Sequence, residues 1–251
     1  LFDRPDLVRA AEAAGDLLVA VHFDGSRLLR TSRDGRAGAS AGVLEDYGDV
    51  AEGFLALYSV TGDTSWLTFA GVLLDTVLDR FTAPDGTLYD TADDAERLIR
   101  RPQDPTDNAA PSGWTAAAGA LVGYAALTGS GRHREAAERA LGVVRALGGR
   151  LPRFIGWGLA VAEALLDGPR EIAVVGPADD PGTKALHRAA LLGTAPGAVV
   201  ALGEPGAEDA APVLRDRSLV GGMPAAYVCR GFVCDVPVID PEELSERLTR
   251  A

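Results

Sequence analysis

The segment Asp104-Pro105-Thr106-Asp107-Asn108-Ala109-Ala110-Pro111-Ser112-Gly113-Trp114 is followed by the run Thr115-Ala116-Ala117-Ala118-Gly119-Ala120-Leu121, which is rich in strong helix formers. Ser112 is a good N-cap candidate, because its hydroxyl can accept a hydrogen bond from a free N–H group of the first turn. The segment predicts a helix over 112–127 with polar side chains at its start. Such a start suits an anionic or hydroxyl-rich ligand, although a capped helix after a turn-rich loop is the simpler interpretation.

The pattern of helix, short turn and helix around this segment occurs twice. The turn Thr61-Gly62-Asp63 matches Thr128-Gly129-Ser130 at an offset of 67 residues. A repeat of this length indicates stacked helical hairpins, because neither helix of a pair could bury its apolar face alone. Apolar spacing predicts helices over residues 6–21, 45–60, 66–81, 112–127, 132–147 and 153–166.

The lengths of the connections predict where a site would form. Long connections precede the Ala- and Gly-rich helices 45–60 and 112–127, and short turns follow them. Small residues allow close approach, so we expect these two helices on the inside and the helices 66–81 and 132–147 outside. The long connections would then meet at one end. That end would collect Glu45, Asp46, Tyr47, Asp104, Asp107, Asn108, Ser112 and Trp114.

After Pro169 the pattern changes from helical to mixed. Residues 171–175 and 197–202 are predicted to be strands joined by a helix over 180–192, as a parallel pair with a right-handed crossover. No nucleotide-binding motif stands at the strand end. One or two short strands over 226–234 and a helix opening at Asp240 follow. We therefore predict a mainly α fold, with helical hairpins over 1–168 and a small α/β segment over 169–251.

Composition and charge narrow the classes of partner. The formal net charge of −12 argues against binding to nucleic acid or to an anionic membrane surface. No apolar run approaches the roughly 18–20 residues that a membrane-spanning helix needs. Two cysteines in 251 residues suggest a reducing compartment, so we expect a cytoplasmic protein.

Five short blocks, spread over nearly the whole chain, occur in the order and spacing of a known family: Leu44-Glu45-Asp46-Tyr47, Asp90-Thr91-Ala92-Asp93-Asp94, Arg101-Pro102-Gln103-Asp104, Pro111-Ser112-Gly113 and Tyr227–Pro237. They resemble the C-terminal region of the DUF255 thioredoxin-domain-containing proteins. The resemblance implies part of an (α/α)6 toroid of the six-hairpin glycosidase and N-acylglucosamine 2-epimerase type. It also implies two partners that these residues do not contain, an N-terminal thioredoxin-like domain and the first half of the toroid.

Carboxylates at the mouth of such a toroid suit glycoside chemistry, which needs one acid and one base or nucleophile. The predicted catalytic groups are Glu45 or Asp46 together with Asp107, and the alternative is that Asp46 and Asp107 only cap helices. No histidine is well placed for an epimerase. We expect a sugar-like ligand and no metal or other cofactor. The predicted substrate-binding residues are Tyr47, Asp104, Asn108, Ser112 and Trp114.

Cys229 and Cys234 flank a four-residue connection that contains Gly231, so a hairpin could bring them together. A disulfide, a redox pair that exchanges with a thioredoxin domain, and two buried free thiols are all open, with free thiols preferred. Two functions follow for the whole chain. One is a binding or redox-linked module with a carbohydrate-enzyme-like fold, and the other is an active glycoside-processing enzyme.

Overall fold

The computed structural model describes residues 4–25 and 27–249, so the outer ends of both predicted domains, at residues 1 and 251, lie outside the described residues. A series of helices comes first, with one short hairpin, β1 (Ser32–Arg33) and β2 (Arg36–Ala37), in the first long connection. Wider helical turns extend α1 through Leu18–His22 and α3 through Val77–Phe81. The helices are α1 Pro5–Leu17, α2 Leu44–Thr61, α3 Thr64–Thr76, α4 Gly113–Thr128, α5 Gly131–Ala140, α6 Gly142–Leu147 and α7 Gly156–Asp167.

Most of the predicted helices are confirmed to within a turn, and two differ. The single helix predicted over 132–147 is broken at Leu141 into α5 and α6, beside Gly142, a residue with poor helix propensity. The helix predicted to begin at Arg153 begins at Gly156 instead. Pro152–Phe154 form a separate 3-10 turn, and Ile155 leaves helical geometry at φ −143°.

The two matching turns share the pair Thr-Gly, and the conformation of the glycine explains why. Gly62 ends α2 and Gly129 ends α4, each in the left-handed region at φ 74° and 71°. The backbone N–H of Gly62 donates to the Tyr58 carbonyl, and that of Gly129 donates to the Ala125 carbonyl, in each case four residues earlier. Left-handed geometry costs glycine little, so both helices stop here and the chain turns sharply into the next helix.

The two Ala- and Gly-rich helices pack directly on each other, as their small residues predict. A Cβ atom on Gly48 of α2 would lie 2.7 Å from the backbone nitrogen of Ala117 in α4. A Cβ atom on Gly113 would lie 2.5 Å from the backbone nitrogen of Glu45. Both distances are too short for a side chain, so the two glycines set how closely the helices and their N-termini approach.

The α/β segment is built on a four-stranded sheet with the order β4-β3-β5-β6. The predicted parallel pairing of β3 with β4 across a helix is confirmed. The strand β5 adds on the other side of β3 in antiparallel orientation, with β6 as its hairpin partner. The elements are β3 Glu171–Val175, α8 Pro181–Leu191, β4 Val199–Gly203, β5 Ala225–Arg230, β6 Val233–Cys234 and α9 Pro241–Thr249.

The central strand β3 is buried on both faces. Ala173 and Val175 belong to the same core as the helices α2 to α4. Ile172 and Val174 point to the opposite face, where they pack in a second core with side chains of α8 and α9. Alternation along one strand therefore attaches the α/β segment to the helical part and covers its outer face at the same time.

The predicted fold class, mainly α with a small α/β part, is confirmed. The domain boundary between residues 168 and 169 stays a prediction, and so does the toroid as the parent architecture. Within the described ranges, no helix combines the length and the apolar character needed to cross a membrane.

Candidate functional site

An open cleft of about 410 Å³ lies beside the starts of α2 and α4. We call it the polar cleft. Four of the residues predicted for the site line it, namely Glu45, Asp104, Asn108 and Ser112. Asp90 and Thr106, which were not predicted, line it as well. The lining residues are Val43, Leu44, Glu45, Asp90, Asp104, Thr106, Asn108, Ala109, Ala110, Pro111, Ser112 and Gly113.

Hydrogen bonds between the loops and the helix starts shape the polar cleft. The backbone N–H of Leu44 donates to the carbonyl oxygen of Asp90 at 2.9 Å. The Asp104 N–H donates to the Asp90 carboxylate at 3.3 Å. The Asp104 carboxylate accepts from the N–H and the hydroxyl of Thr106, at 3.0 and 2.5 Å. The acidic side chains are therefore placed by loop structure that the sequence pattern does not reveal.

The polar cleft is negative. Burial raises the pKa of Asp90, the bond from the Asp104 N–H lowers it, and the Asp104 charge raises it again. Glu45 lies 3.7 Å from the guanidinium of Arg30, a long and half-exposed contact that balances only part of this charge. The cleft therefore disfavours anions and offers acceptors to ligands that carry hydroxyl groups.

Asp107 connects two helix starts and has little capacity left for a substrate. One of its oxygens accepts from the Ser112 N–H at 3.0 Å and from the Thr115 hydroxyl at 2.7 Å. The other accepts from the Trp157 N–H, in the first turn of α7, at 2.7 Å. These bonds match the capping alternative, since a carboxylate at a helix N-terminus satisfies free donors and faces the positive dipole end.

Asp46 is also held by local structure. Its carboxylate accepts from the backbone N–H of Val43 at 2.8 Å, which is the return bond of a capping box. It also lies 3.3 Å from the guanidinium of Arg30. Of the three predicted catalytic carboxylates, Glu45 lines the polar cleft, whereas Asp46 and Asp107 do not.

The two aromatic residues predicted to bind substrate lie in the core. Trp114 is 5% exposed, and its indole N–H donates to the Ala140 carbonyl at 2.8 Å. Tyr47 is buried against Phe81, and its hydroxyl accepts from the Leu28 N–H at 3.0 Å. Each polar atom already has a partner, so packing accounts for both residues. This corrects the expectation that they would stack on a sugar in the same site as Asp104.

Cys229 and Cys234 form a disulfide, which corrects the preference for two free thiols. They stand directly opposite each other in the β5–β6 hairpin, which has the two-residue turn Gly231-Phe232. The buried carboxylate of Glu171 accepts from the N–H groups of both turn residues, at 3.0 and 2.7 Å. Neither cysteine lines the polar cleft, so any redox role of this pair is spatially separate from it.

Asp90 could have been found from the sequence, because it opens one of the blocks that carry the family resemblance. Thr106 gives no comparable signal. Among the residues that the structure describes, no group of three or more His, Cys, Asp or Glu side chains is arranged to hold a metal ion.

Comparison with known proteins supports the relationship that the sequence blocks indicate. No protein-family model matches the chain. It is 28% identical over 242 residues to human spermatogenesis-associated protein 20, covering 88% of this chain and 30% of that protein. The mouse protein of the same name is 28% identical over 264 residues, covering 96% of this chain and 32% of its own length. The chain thus spans about a third of the length of the relatives that it matches, and it is similar to spermatogenesis-associated protein 20 over most of its own length.

Proposed function

We propose that this chain is a binding module whose polar cleft holds a neutral, hydroxyl-rich small molecule such as a sugar. One observation carries the proposal: Glu45, Asp104, Asn108 and Ser112 line the same cleft, together with Asp90. Carboxylate and amide oxygens accept hydrogen bonds from sugar hydroxyls, and the starts of α2 and α4 add backbone donors. The acidic lining makes a neutral ligand a better fit than a phosphate or a sugar acid.

Binding without turnover is favoured by the state of the expected catalytic groups. Glycoside hydrolysis needs two carboxyl groups free to face the scissile bond, one to donate a proton and one to act as base or nucleophile. Asp46 and Asp107 instead accept hydrogen bonds from helix starts. Such bonds occupy the carboxylate oxygens and hold both side chains in place.

The alternative, a glycoside-processing enzyme, is supported by Asp90. Burial raises its pKa, as a general acid requires, and the backbone of Asp104 is hydrogen-bonded to it. In that case Asp90 would donate the proton, and Glu45 or Asp104 would act as base. Hydrolysis of an aryl glycoside that is abolished by Asp90→Asn would establish this alternative over simple binding.

The proposal includes the rest of a longer protein as partner. Relatedness to a protein about three times as long supports a larger assembly. We propose that a thioredoxin-like domain and further toroid helices complete it, that the Cys229–Cys234 pair is its redox-linked element, and that the assembly is cytoplasmic.

The test is a calorimetric titration with glucose, N-acetylglucosamine, maltose and, as an anionic counterpart, glucuronate. We expect saturable binding of at least one neutral sugar and weaker binding of glucuronate. Asn108→Ala should lower the affinity for the neutral sugar by about tenfold, since it removes an exposed amide with donor and acceptor atoms. Glu135→Gln, on the exposed face of α5, serves as control. Absence of saturation by every neutral sugar would reject the proposal.

A further inference from the structure

A second cavity, of about 480 Å³, lies where α2, α4 and α7 meet α8 and β4. We call it the apolar cavity. It shares no lining residue with the polar cleft. Its size falls within the range of small-molecule sites, and such sites often form where two parts of a protein meet. Of the described residues that line it, Glu52 alone carries a charge.

Glu52 lies on α2 with no counter-charge among the described residues. Burial raises its pKa, and the negative charge of Asp49, one turn earlier, raises it further. In residues 4–25 and 27–249, no basic side chain lies within ion-pairing distance of either carboxylate. A carboxylate in apolar surroundings is unfavourable unless it is paired, so a cation in this cavity would gain an uncompensated partner.

Trp157 supplies the second feature that suits a cation. It lies at the start of α7 and lines the cavity, and it is 39% exposed although most large apolar side chains of the helical part are buried. Its backbone N–H is held by Asp107. A Cβ atom on Gly119 would lie 3.5 Å from the indole nitrogen, so the ring rests beside this glycine. Indole faces attract ammonium groups more strongly than other aromatic rings do.

The remaining walls are shaped for an apolar body. Ala56 of α2, Gly119 and Gly123 of α4, and Ala160 and Ala164 of α7 present almost no side chain to the cavity. The α/β segment closes another side with Leu191, Ala198 and Val199. A ligand here can bury hydrocarbon against these residues while its charged end remains near Glu52.

We propose that the apolar cavity binds a small organic amine, with the ammonium group held by Glu52 and the indole of Trp157 and the hydrocarbon against the small residues of α4. Carboxylate, indole and apolar wall together select this chemistry over a neutral hydrophobic molecule or an anion. The site is independent of the polar cleft and does not depend on the proposed sugar binding.

The test uses two probes with the same apolar body, cyclohexylmethylamine and cyclohexylmethanol, titrated into the whole chain. Trp157 reports binding through its fluorescence, because it lines the cavity whereas Trp66 and Trp114 do not. We expect the amine to bind more tightly than the alcohol. Glu52→Gln should weaken binding of the amine by about tenfold and binding of the alcohol by less than about twofold. The reason is that a hydrogen bond to a charged group is lost only for the amine.

Two further variants separate the parts of the proposal. Ala56→Leu fills the cavity and should weaken both probes, while Glu45→Gln, in the polar cleft, should change neither. Calorimetry repeats the comparison without relying on tryptophan. Equal affinity for amine and alcohol, amine binding that survives Glu52→Gln, or no binding of either probe by the folded chain would each overturn the proposal.

Discussion

Both oxygens of Asp107 accept hydrogen bonds, and the donors belong to the first turns of two helices that are distant in sequence. The bonds from Ser112 and Thr115 fix the start of α4, and the bond from the backbone of Trp157 fixes the start of α7. This residue therefore acts on both sites at once. It shapes the loop that borders the polar cleft, and it positions the indole that lines the apolar cavity.

Replacing Asp107 should therefore affect stability. We expect Asp107→Ala to lower the free energy of unfolding by about 2–3 kcal/mol, because it removes the cap of α7 and two hydrogen bonds at the start of α4, and each of these bonds contributes about 1 kcal/mol. Asp107→Asn should cost less, since its amide keeps one acceptor oxygen. Urea denaturation followed by circular dichroism measures both.

A matched control is Asp104→Ala, which removes a carboxylate whose hydrogen bonds stay within one turn of the same loop. It should lower stability by less than about 1 kcal/mol. Equal effects of the two alanine variants would contradict the capping role of Asp107.

At the scale of the element, the β5–β6 hairpin joins the α/β segment to the end of α4. A Cβ atom on Gly129 would lie 3.2 Å from the ring of Phe232, so this ring packs on the glycine that ends α4. Glu171 holds the turn from the adjacent strand β3, and burial raises the pKa of its carboxyl group although two N–H bonds oppose that shift. The disulfide joins Cys229 of β5 to Cys234 of β6, one residue pair away from the pair that flanks the turn.

Removing the disulfide should lower stability only modestly. A loop as short as this one restricts the unfolded chain by about 2 kcal/mol in the loop-entropy description. The double variant Cys229→Ala/Cys234→Ala should therefore lose about 2 kcal/mol. Reduced wild-type protein should approach the same value, and reductant should leave the double variant unchanged. Thiol titration of the native chain provides the check, since two freely reacting thiols would show that no disulfide forms.

At the scale of the whole molecule, the strand β3 and the helix α8 also attach the α/β segment to the helices. Ala173 and Val175 of β3 enter the helical core. His187 of α8 donates from Nε2 to the Ser59 carbonyl of α2 at 2.7 Å, since a carbonyl oxygen can only accept. Burial lowers the pKa of His187, and the bond to Ser59 only partly offsets that shift.

His187 should make stability depend on pH. Its folded pKa lies below its unfolded value of about 6.5, so the unfolded chain binds the proton more readily. The stability that neutral His187 contributes is therefore complete above about pH 6.5, and it declines as the pH falls toward the folded pKa. For one group the slope cannot exceed about 1.4 kcal/mol per pH unit.

His187→Gln keeps a donor for Ser59 and does not titrate. Between pH 7.5 and 5.5, the free energy of unfolding should fall less steeply in this variant than in wild type. His133, whose pKa burial also lowers, contributes equally to both proteins and cancels in the comparison. Parallel curves for variant and wild type would refute the prediction.

Several features followed from sequence because they depend on local chemistry. Gly62 and Gly129 ended helices where the repeat placed them, Ser112 capped α4, and Asp240 bonds to two N–H groups in the first turn of α9. The burial of Trp114 could not be predicted, because an aromatic residue in the first turn of a helix faces solvent or core according to what packs against it.

The sequence by itself determined the order of helices, the strand–helix–strand unit and the cysteine hairpin. These depend on periodicity, turn residues and caps, which act over a few neighbouring positions. Only the tertiary structure decided that Asp107 connects α4 with α7, that Asp90 joins Glu45 in one cleft, and that Glu52 shares a cavity with Trp157. Such placements depend on how helices distant in sequence pack, and residue spacing along one element carries no information about that packing.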